Sequence, residues 1–333
     1  MVNNNTYKSQ IKLDNIEDIE QEIKYKSTKF EKIITENKHL LPQLSHYILS
    51  FNIYKTKSSF VNAIRRCIID ELPTNNLYFN ITDISTNDNF ILNDLIQSRI
   101  QLISILQNIN IDTKFSLNIH NKTTKNIPIY TNNIINSNNK DKTIYFNQNI
   151  KLCDLKPNRF ININNIYIKT DYGLNNSSYN IGGASYEVIN FDMEKNQSMS
   201  TDPSDFKFYV YNNGNIKSKD IVLKSIIILQ KRLDHIVQLI NNYDDLESND
   251  ELIINKTENL TLYHIKNEYH TLGNLIIDYM FELDTSTKLL NYNNDHSLKN
   301  EITIKTDNLE SSKLIINAIN NIQIDFKNII DKF

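Results

Sequence analysis

The chain has 333 residues, of which 40% are hydrophobic, so it is long enough for two or three domains with apolar cores. Its formal net charge of -3 argues against wholesale coating of a nucleic-acid backbone, which needs a strongly basic face. Its two cysteines, Cys67 and Cys153, exclude a disulfide framework and a four-thiolate zinc site, and no run of about 18 apolar residues could cross a membrane. We therefore expect a soluble intracellular protein in a reducing compartment, with no membrane contact and no structural metal.

A strand followed by a helix is predicted between residues 45 and 74. The strand is indicated by apolar side chains at alternate positions, namely Tyr47, Leu49, Phe51 and Ile53. The helix is indicated by an apolar stripe that consists of Phe60, Ile64, Cys67 and Ile68. We expect Ser58 or Ser59 to cap its first turn, and Pro73 to end it because proline cannot continue the hydrogen-bond ladder.

The region that follows is predicted to be richer in strands. We expect a strand at 77–84 and a mostly helical segment at 90–106. Three further runs of strand-like residues, at 115–119, 143–150 and 159–168, are separated by polar loops. We interpret residues 113–203 as a small, mostly β domain that is inserted into the first module.

A strand and a long helix are expected to complete the first module. Phe206, Phe208 and Val210 alternate as a strand, and the apolar positions of the helix at 220–240 step by four and three residues. That spacing is typical of a seam that packs against another helix. The seam consists of Val222, Ile226, Leu229, Leu233 and Ile236. Residues 241–251 are acidic and lack any periodicity, so we interpret them as a linker and not as a metal site.

The last module repeats this plan. We predict a strand with Leu260 and Leu262 inward, and then a helix whose buried residues are Leu275, Ile276, Tyr279, Met280 and Leu283. After a strand at 301–306, a final helix has a seam of the same spacing, formed by Ile315, Ile319, Ile322 and Phe326. Because neither module can cover its own apolar stripe, we expect the two modules to pack on each other.

The predicted fold class is α+β, with two similar modules packed pseudo-symmetrically in one chain and an inserted mostly β domain. The expected division is an N-terminal extension at 1–44, a first module at 45–112 plus 204–240, the inserted domain at 113–203, the linker at 241–251 and the last module at 252–333. The sequence suggests no function for the extension.

Two motifs resemble known proteins. The first resembles the N-terminal helix of the RNA polymerase alpha family, which includes the bacterial alpha subunit and the third-largest subunit of eukaryotic and archaeal polymerases; it consists of Asn62, Ile64, Arg65, Arg66, Glu71, Pro73 and Thr74. Asp94, Arg99, Leu102 and Ile103 match a second stretch of that family. The other motif resembles the signature of its small partner, related to the eleventh subunit of polymerase II; it consists of Asn267, Glu268, His270, Thr271, Leu272, Gly273 and Asn274, and Tyr292 matches a tyrosine that follows it.

The resemblance implies a natural fusion of two subunits that are separate chains in cellular polymerases. Such a pair is a non-catalytic assembly platform. It binds the two largest catalytic subunits and other small polymerase subunits, and it reaches DNA and RNA only through the complex. The resemblance further implies that a large subunit, the second-largest in the case of the first motif, docks on Asn62, Arg65, Arg66 and Glu71 of that motif and on Arg99 of the second stretch. It implies no cofactor, and the four-cysteine zinc site of some relatives is missing.

Each motif also has a simpler interpretation. Arg65 and Arg66 could be solvated charges on an amphipathic helix, although guanidinium groups suit bidentate contacts that lysine cannot copy. The C-terminal motif contains His, Thr and Asn, yet it lacks the positioned base and oxyanion donors of a catalytic triad. We therefore expect a structural or interface role for it, in which Thr271 caps a helix and Gly273 allows close packing.

Two alternative functions remain open. A free-standing interaction scaffold with the same fold is the main alternative, and an enzyme in its own right is the weakest because no nucleophile, cofactor or metal constellation is present. The excess of Asn, Ile, Lys and Tyr follows AT-rich codons, as in a large DNA virus or a cytoplasmic plasmid. If the chain is viral, we expect it in the cytoplasm or the virion, with the nucleus as a further alternative.

Overall fold

A computed structural model describes residues 7–22, 45–103, 105, 109–137, 150–189, 203–212, 216–243, 251–258, 260–294, 300–308 and 310–333. These residues form a mixed α+β fold. The α-helices are α1 (Ser58–Arg66), α2 (Asn93–Gln101), α3 (Ser218–Asn241), α4 (His270–Leu283) and α5 (Ser311–Ile330). The strands are β1 (Lys12–Glu22), β2 (Ser45–Tyr54), β3 (Pro73–Tyr78), β4 (Ile84–Thr86), β5 (Lys114–His120), β6 (Ile127–Tyr130), β7 (Ile135–Asn136), β8 (Lys151–Leu155), β9 (Phe160–Tyr172), β10 (Gly182–Val188), β11 (Phe206–Asn212), β12 (Leu252–Lys256), β13 (Thr261–Lys266), β14 (Leu290–Asn293) and β15 (Glu301–Thr306).

The first sheet is antiparallel and has the strand order β1-β2-β11-β10. In the β2–β11 pair, Leu49 lies opposite Val210 and Phe51 lies opposite Phe208. These four side chains are buried beneath α1 and α3, which confirms the predicted alternation in both strands. The side chain of Tyr47 lies outside the described part of the chain.

Helix α1 and the turn that follows it bury the predicted apolar stripe completely. The predicted serine cap is wrong, because the helix begins after Lys57, no side chain caps it, and Ser59 turns its hydroxyl into the interior. Beyond Arg66 the chain continues as a π-helical turn, Cys67–Glu71, and then becomes extended at Leu72. The helical segment therefore ends just before Pro73, as expected from the restriction that proline places on the preceding residue.

The C-terminal sheet has the order β12-β13-β15-β14 and packs against α4 and α5. The predicted register of β13 is wrong by one residue, because Tyr263 and Ile265 point inward while Leu262 is only half-buried. Tyr263 tolerates burial since its hydroxyl is hydrogen-bonded to Ser311 at 2.8 Å and to Ser312 at 2.7 Å. The predicted buried face of α4 is confirmed except at Leu283, which lies in the last turn and is 42% exposed.

The middle sheet has the order β3-β9-β5-β7, with β4 also paired to β9, and β6 and β8 form a separate ribbon. The strands predicted at 115–119 and 159–168 are present as β5 and β9, whereas the one at 143–150 lies almost wholly outside the described residues. The helix expected at 90–106 is shorter, since only α2 forms. The structure places β3, β4 and α2 with the core of this sheet, and it places β10 in the first sheet. The domain division as a whole stays a prediction.

Within the described ranges, no helix is both long enough and apolar enough to span a bilayer.

Candidate functional site

The helices of the first sheet meet those of the C-terminal sheet at one junction. Helix α1 packs against α4, and α3 packs against α5. Phe60 of α1 lies 4.7 Å from Phe326 of α5, measured between ring centroids. All of the predicted seam residues are buried there, namely Val222, Ile226, Leu229, Leu233, Ile236, Ile315, Ile319, Ile322 and Phe326. The two parts of the chain consequently share a single hydrophobic core.

Polar contacts also cross this junction. The Gln323 side chain of α5 donates hydrogen bonds to the Gln230 carbonyl at 3.0 Å and to Asp234 at 2.9 Å, both on α3. At the other helix pair, Lys57 donates to the Asp278 carbonyl of α4 and forms an ion pair with Glu282 at 3.1 Å. These contacts fix the helices along their length, which an apolar seam alone does less strictly.

The C-terminal motif forms the turn between β13 and α4. Asn267 has a φ of 62°, a left-handed conformation that asparagine tolerates better than most residues. The expected cap at Thr271 is wrong, because the residue before the helix is Tyr269 and the Thr271 hydroxyl is buried without a hydrogen-bond partner. Leu272 is fully buried, and Asn274 faces solvent.

Gly273 leaves room for an aromatic ring of β14. A Cβ atom at this position would lie 2.8 Å from Cδ2 of Tyr292, closer than real Cβ atoms approach carbon. His270 also contacts this ring edge to face, at 5.8 Å between centroids. The close approach that the sequence predicted for Gly273 is therefore an approach to Tyr292, a residue that belongs to the same resemblance.

Arg232 of α3 joins the two motifs. Its guanidinium forms ion pairs with Glu71, at the end of the π-helical turn, and with Glu268, in the turn before α4. The side chains are only 20%, 13% and 7% exposed for Arg232, Glu71 and Glu268, respectively. Partly buried charges of this kind are stable only when they are paired, and the planar arginine fork can hold two carboxylates at once.

In this ion-pair triad of Arg232, Glu71 and Glu268, one cation pairs with two anions. Burial lowers the pKa of Arg232, but the hydrogen bond and charge of Glu268 and the charge of Glu71 outweigh it and hold that pKa above its ordinary value. Burial raises the pKa of Glu268, and the nearby Glu71 adds to this, although Arg232 opposes both. Arg232 therefore stays charged, and the two carboxylates depend on it.

The five residues predicted to dock a large subunit are not all alike in the structure. Asn62 and Arg65 lie together on the half-exposed face of α1, where Arg65 donates to the Asn62 side chain at 3.0 Å, and Arg66 is also half-exposed. Glu71 is turned inward to Arg232. Arg99 of α2 donates to the Leu152 carbonyl of β8, in the separate β6–β8 ribbon.

The N-terminal residues, for which no role was predicted, contact both the first sheet and the last helix. Strand β1 pairs with β2 at the edge of the first sheet. Just before it, Tyr7 donates to Asp325 of α5 at 2.8 Å, and Asn328 and Lys332 donate to the carbonyl of Ile11 at 2.8 and 2.7 Å. Residues 7–22, which we term the N-terminal clasp, thus tie the last helix to the first sheet.

Arg232 was not among the predicted site residues because it lies on the polar side of the predicted seam. The one signal was its residue type, since arginine occurs in this lysine-rich chain only at positions 65, 66, 99, 159 and 232. In the part of the chain that the structure describes, no cluster of His, Cys, Asp and Glu could hold a metal ion.

Comparisons with known proteins agree with these features. Residues 50–233 match the family model described as the RNA polymerase Rpb3/Rpb11 dimerisation domain. Two similar proteins, each named DNA-directed RNA polymerase RPB3-11 homolog, come from a tick and a warthog isolate of African swine fever virus. Each is 23% identical to this chain over 261 residues, which cover 70% of this chain and 71% of the viral protein. The predicted resemblance is confirmed, and because the family match covers more than half of the sequence, the chain belongs to the RNA polymerase Rpb3/Rpb11 dimerisation domain family.

Proposed function

We propose that the chain is a non-catalytic assembly platform subunit of a multisubunit DNA-directed RNA polymerase, in which both partners of an alpha-type dimer are parts of one polypeptide. The observation that carries this proposal is the shared core, in which α1 packs against α4 and α3 against α5. The name of the two viral relatives, RPB3-11 homolog, is consistent with it. The linker at 241–251 would tether the two modules and keep their effective concentration at about the millimolar level.

A pseudo-symmetric relation between the two modules is supported by their matching local geometry. The strand before each helix ends four residues before the helix begins, at Tyr54 for α1 and at Lys266 for α4. The first residue after each strand is left-handed, with a φ of 58° at Lys55 and 62° at Asn267. The burial of the helix residues also corresponds, since both members are buried in the pairs Ser59 and Thr271, Phe60 and Leu272, Ala63 and Leu275, and Ile64 and Ile276.

The docking surface of the platform would be the half-exposed face of α1. Arg65 and Arg66 contribute two half-exposed guanidinium groups to it, and the group of Arg65 is hydrogen-bonded to Asn62. Such groups bind carboxylates and carbonyls of a partner in a directional way, and arginine is enriched among residues that dominate binding energy. The proposed partners are the two largest subunits, which would contribute the catalytic metal and the template channel, together with other small subunits. With a net charge of -3, this subunit would contact DNA and RNA only indirectly.

The double variant Arg65→Ala/Arg66→Ala tests this docking surface. Both side chains are half-exposed, so the protein should fold normally, while affinity for the second-largest subunit should fall at least about tenfold. Arg159→Ala is the matched control, since Arg159 is an exposed arginine on the middle sheet that donates to the Asn87 carbonyl. Retention of the large subunit by the tagged double variant at the wild-type level would contradict the proposal.

Purification of the tagged wild-type chain from its native cell separates this function from its alternative. The platform proposal predicts two very large subunits at equal stoichiometry, together with template-dependent RNA synthesis by the purified complex. If only unrelated partners were recovered, the chain would be a free-standing scaffold that has kept the family fold.

A further inference from the structure

We infer that Arg232 is a positioning residue that couples the conformation of α1, the proposed docking helix, to the packing of the C-terminal module, residues 252–333. This inference rests on the proposed function, in which α1 carries the docking surface. Its basis is the ion-pair triad, because Arg232 holds Glu71 from one motif and Glu268 from the other, and these two positions are nearly two hundred residues apart in sequence.

The strength of the ion pair between Arg232 and Glu71 depends on whether Glu268 and its turn are in place. With the C-terminal module packed in place, the Arg232 side chain is 20% exposed and both glutamate side chains are less exposed than that. Charges in such a poorly solvated site attract each other several times more strongly than charges in water. With that module displaced, Arg232 and Glu71 would form a solvated pair, which contributes little to order.

The segment that would respond is the π-helical turn Cys67–Glu71. This turn follows Arg66 directly, so its geometry sets the direction of the last turn of α1. The described contacts that also hold it are the Cys67 sulfur on the Ser225 carbonyl at 3.4 Å, the Leu174 amide donating to the Asp70 carbonyl at 2.8 Å, and the burial of Cys67 and Ile68 in the larger core. Single π-helical turns are rare and concentrate at functional sites, which fits a segment whose shape is held by a side chain from elsewhere.

Hydrogen exchange of the intact chain tests the coupling without any partner. Glu268→Gln removes a charge in the C-terminal module and keeps the size of the side chain. Amides at 65–72 should then exchange at least about tenfold faster, while those in the middle sheet should stay within about twofold of wild type. Glu310→Gln is the control, because Glu310 is an exposed glutamate that pairs with Lys313 at 3.3 Å in the same module.

A double-mutant cycle shows whether the effect passes through Arg232. In the Glu71→Gln background, Glu268→Gln should no longer accelerate exchange at 65–72, because the shared contact is already broken. Arg232→Lys should reproduce most of the loss, since an ammonium cannot hold two carboxylates in the same planar geometry. Unchanged exchange at 65–72, or an equal acceleration throughout the chain, would overturn the inference.

Binding of the second-largest subunit then distinguishes failure of the inference from failure of the proposed function. If the wild-type chain retains that subunit, Glu268→Gln should weaken retention about tenfold although Arg65 and Arg66 are intact. Equal retention by wild type and Glu268→Gln would reject the coupling alone. If wild type retains no large subunit, the proposed function fails, and the exchange experiment still decides whether Arg232 couples the two motifs.

Discussion

The described residues form two hydrophobic cores that are organised in opposite ways. The larger core combines residues from both ends of the chain, from Ile11 to Ile329, and joins the first and C-terminal sheets. The smaller core lies under the middle sheet, and its described members all fall between Leu77 and Ile168. Modules that share a core must gain and lose their structure together, whereas a region with its own core can open alone. The part built around the larger core should therefore behave as one cooperative unit, and the middle sheet as a second one.

The largest expected effect comes from truncating a side chain in each core. Leu233→Ala and Leu152→Ala each remove a fully buried leucine, at a cost of about 2–5 kcal/mol. Leu233→Ala should lower the protection of α1, α3, α4 and α5 together, while Leu152→Ala should expose mainly β5, β8 and β9. Hydrogen exchange along a urea titration measures both. Loss of protection in α4 with Leu152→Ala as large as with Leu233→Ala would show that the two cores unfold as one.

A smaller effect is expected at Gly273, which belongs to the C-terminal motif beside the shared core. Gly273→Leu would drive its side chain into the Tyr292 ring, and overpacking of this kind costs about 1–3 kcal/mol. Thermal unfolding and size-exclusion chromatography should show a less stable, partly misassembled protein. Tyr292→Ala in the same chain should restore part of the loss by removing the ring. A well-folded Gly273→Leu protein that assembles normally would contradict the packing role.

The smallest effect is expected at the N-terminal clasp, which joins the last helix to the first sheet. Asp325 is buried and accepts from Tyr279 at 2.5 Å and from Tyr7 at 2.8 Å. Burial and the adjacent Asp325 raise the pKa of both phenols, so they remain protonated donors at neutral pH. Tyr7→Phe should cost about 1 kcal/mol and loosen α5.

A half-exposed tyrosine supplies the control for the clasp. Tyr209→Phe removes a similar phenol bond, to Glu187 at 2.5 Å, but on the solvated face of the first sheet. That variant should change the free energy of unfolding by only a few tenths of a kcal/mol, because water replaces the lost partner. If both variants had the same effect in urea denaturation, the clasp would contribute nothing beyond a surface contact.

Helix positions were predictable because burial in a helix repeats with the period of the helix itself. The seams of α3 and α5 follow the four-and-three spacing, and both helices lie where the sequence placed them. The clasp was not predictable in this way. In β1 a bulge falls between Asp14 and Glu17, so the partly buried Leu13 and Ile16 are three residues apart and do not alternate as strand residues do.

The site was less predictable than the fold, since its contacts come from distant parts of the chain. Arg232 meets carboxylates from two other elements, and no local pattern on α3 specifies them. The register of β13 was predicted wrongly for a related reason. Tyr263 can be buried because its hydroxyl is hydrogen-bonded to Ser311 and Ser312 on α5, and the strand's own sequence does not reveal these partners.

The pairing of β2 with β11 also has a consequence for biosynthesis. Leu49 cannot meet Val210 until more than 150 further residues have been translated, which takes on the order of ten seconds at about 5–20 residues per second. During that interval the apolar faces of β2 and α1 have emerged while their cover has not, and α4 emerges later still. Keeping the nascent chain soluble over this period is a task for chaperones, and we expect the yield of folded protein to depend on them more than on the stability of the finished core.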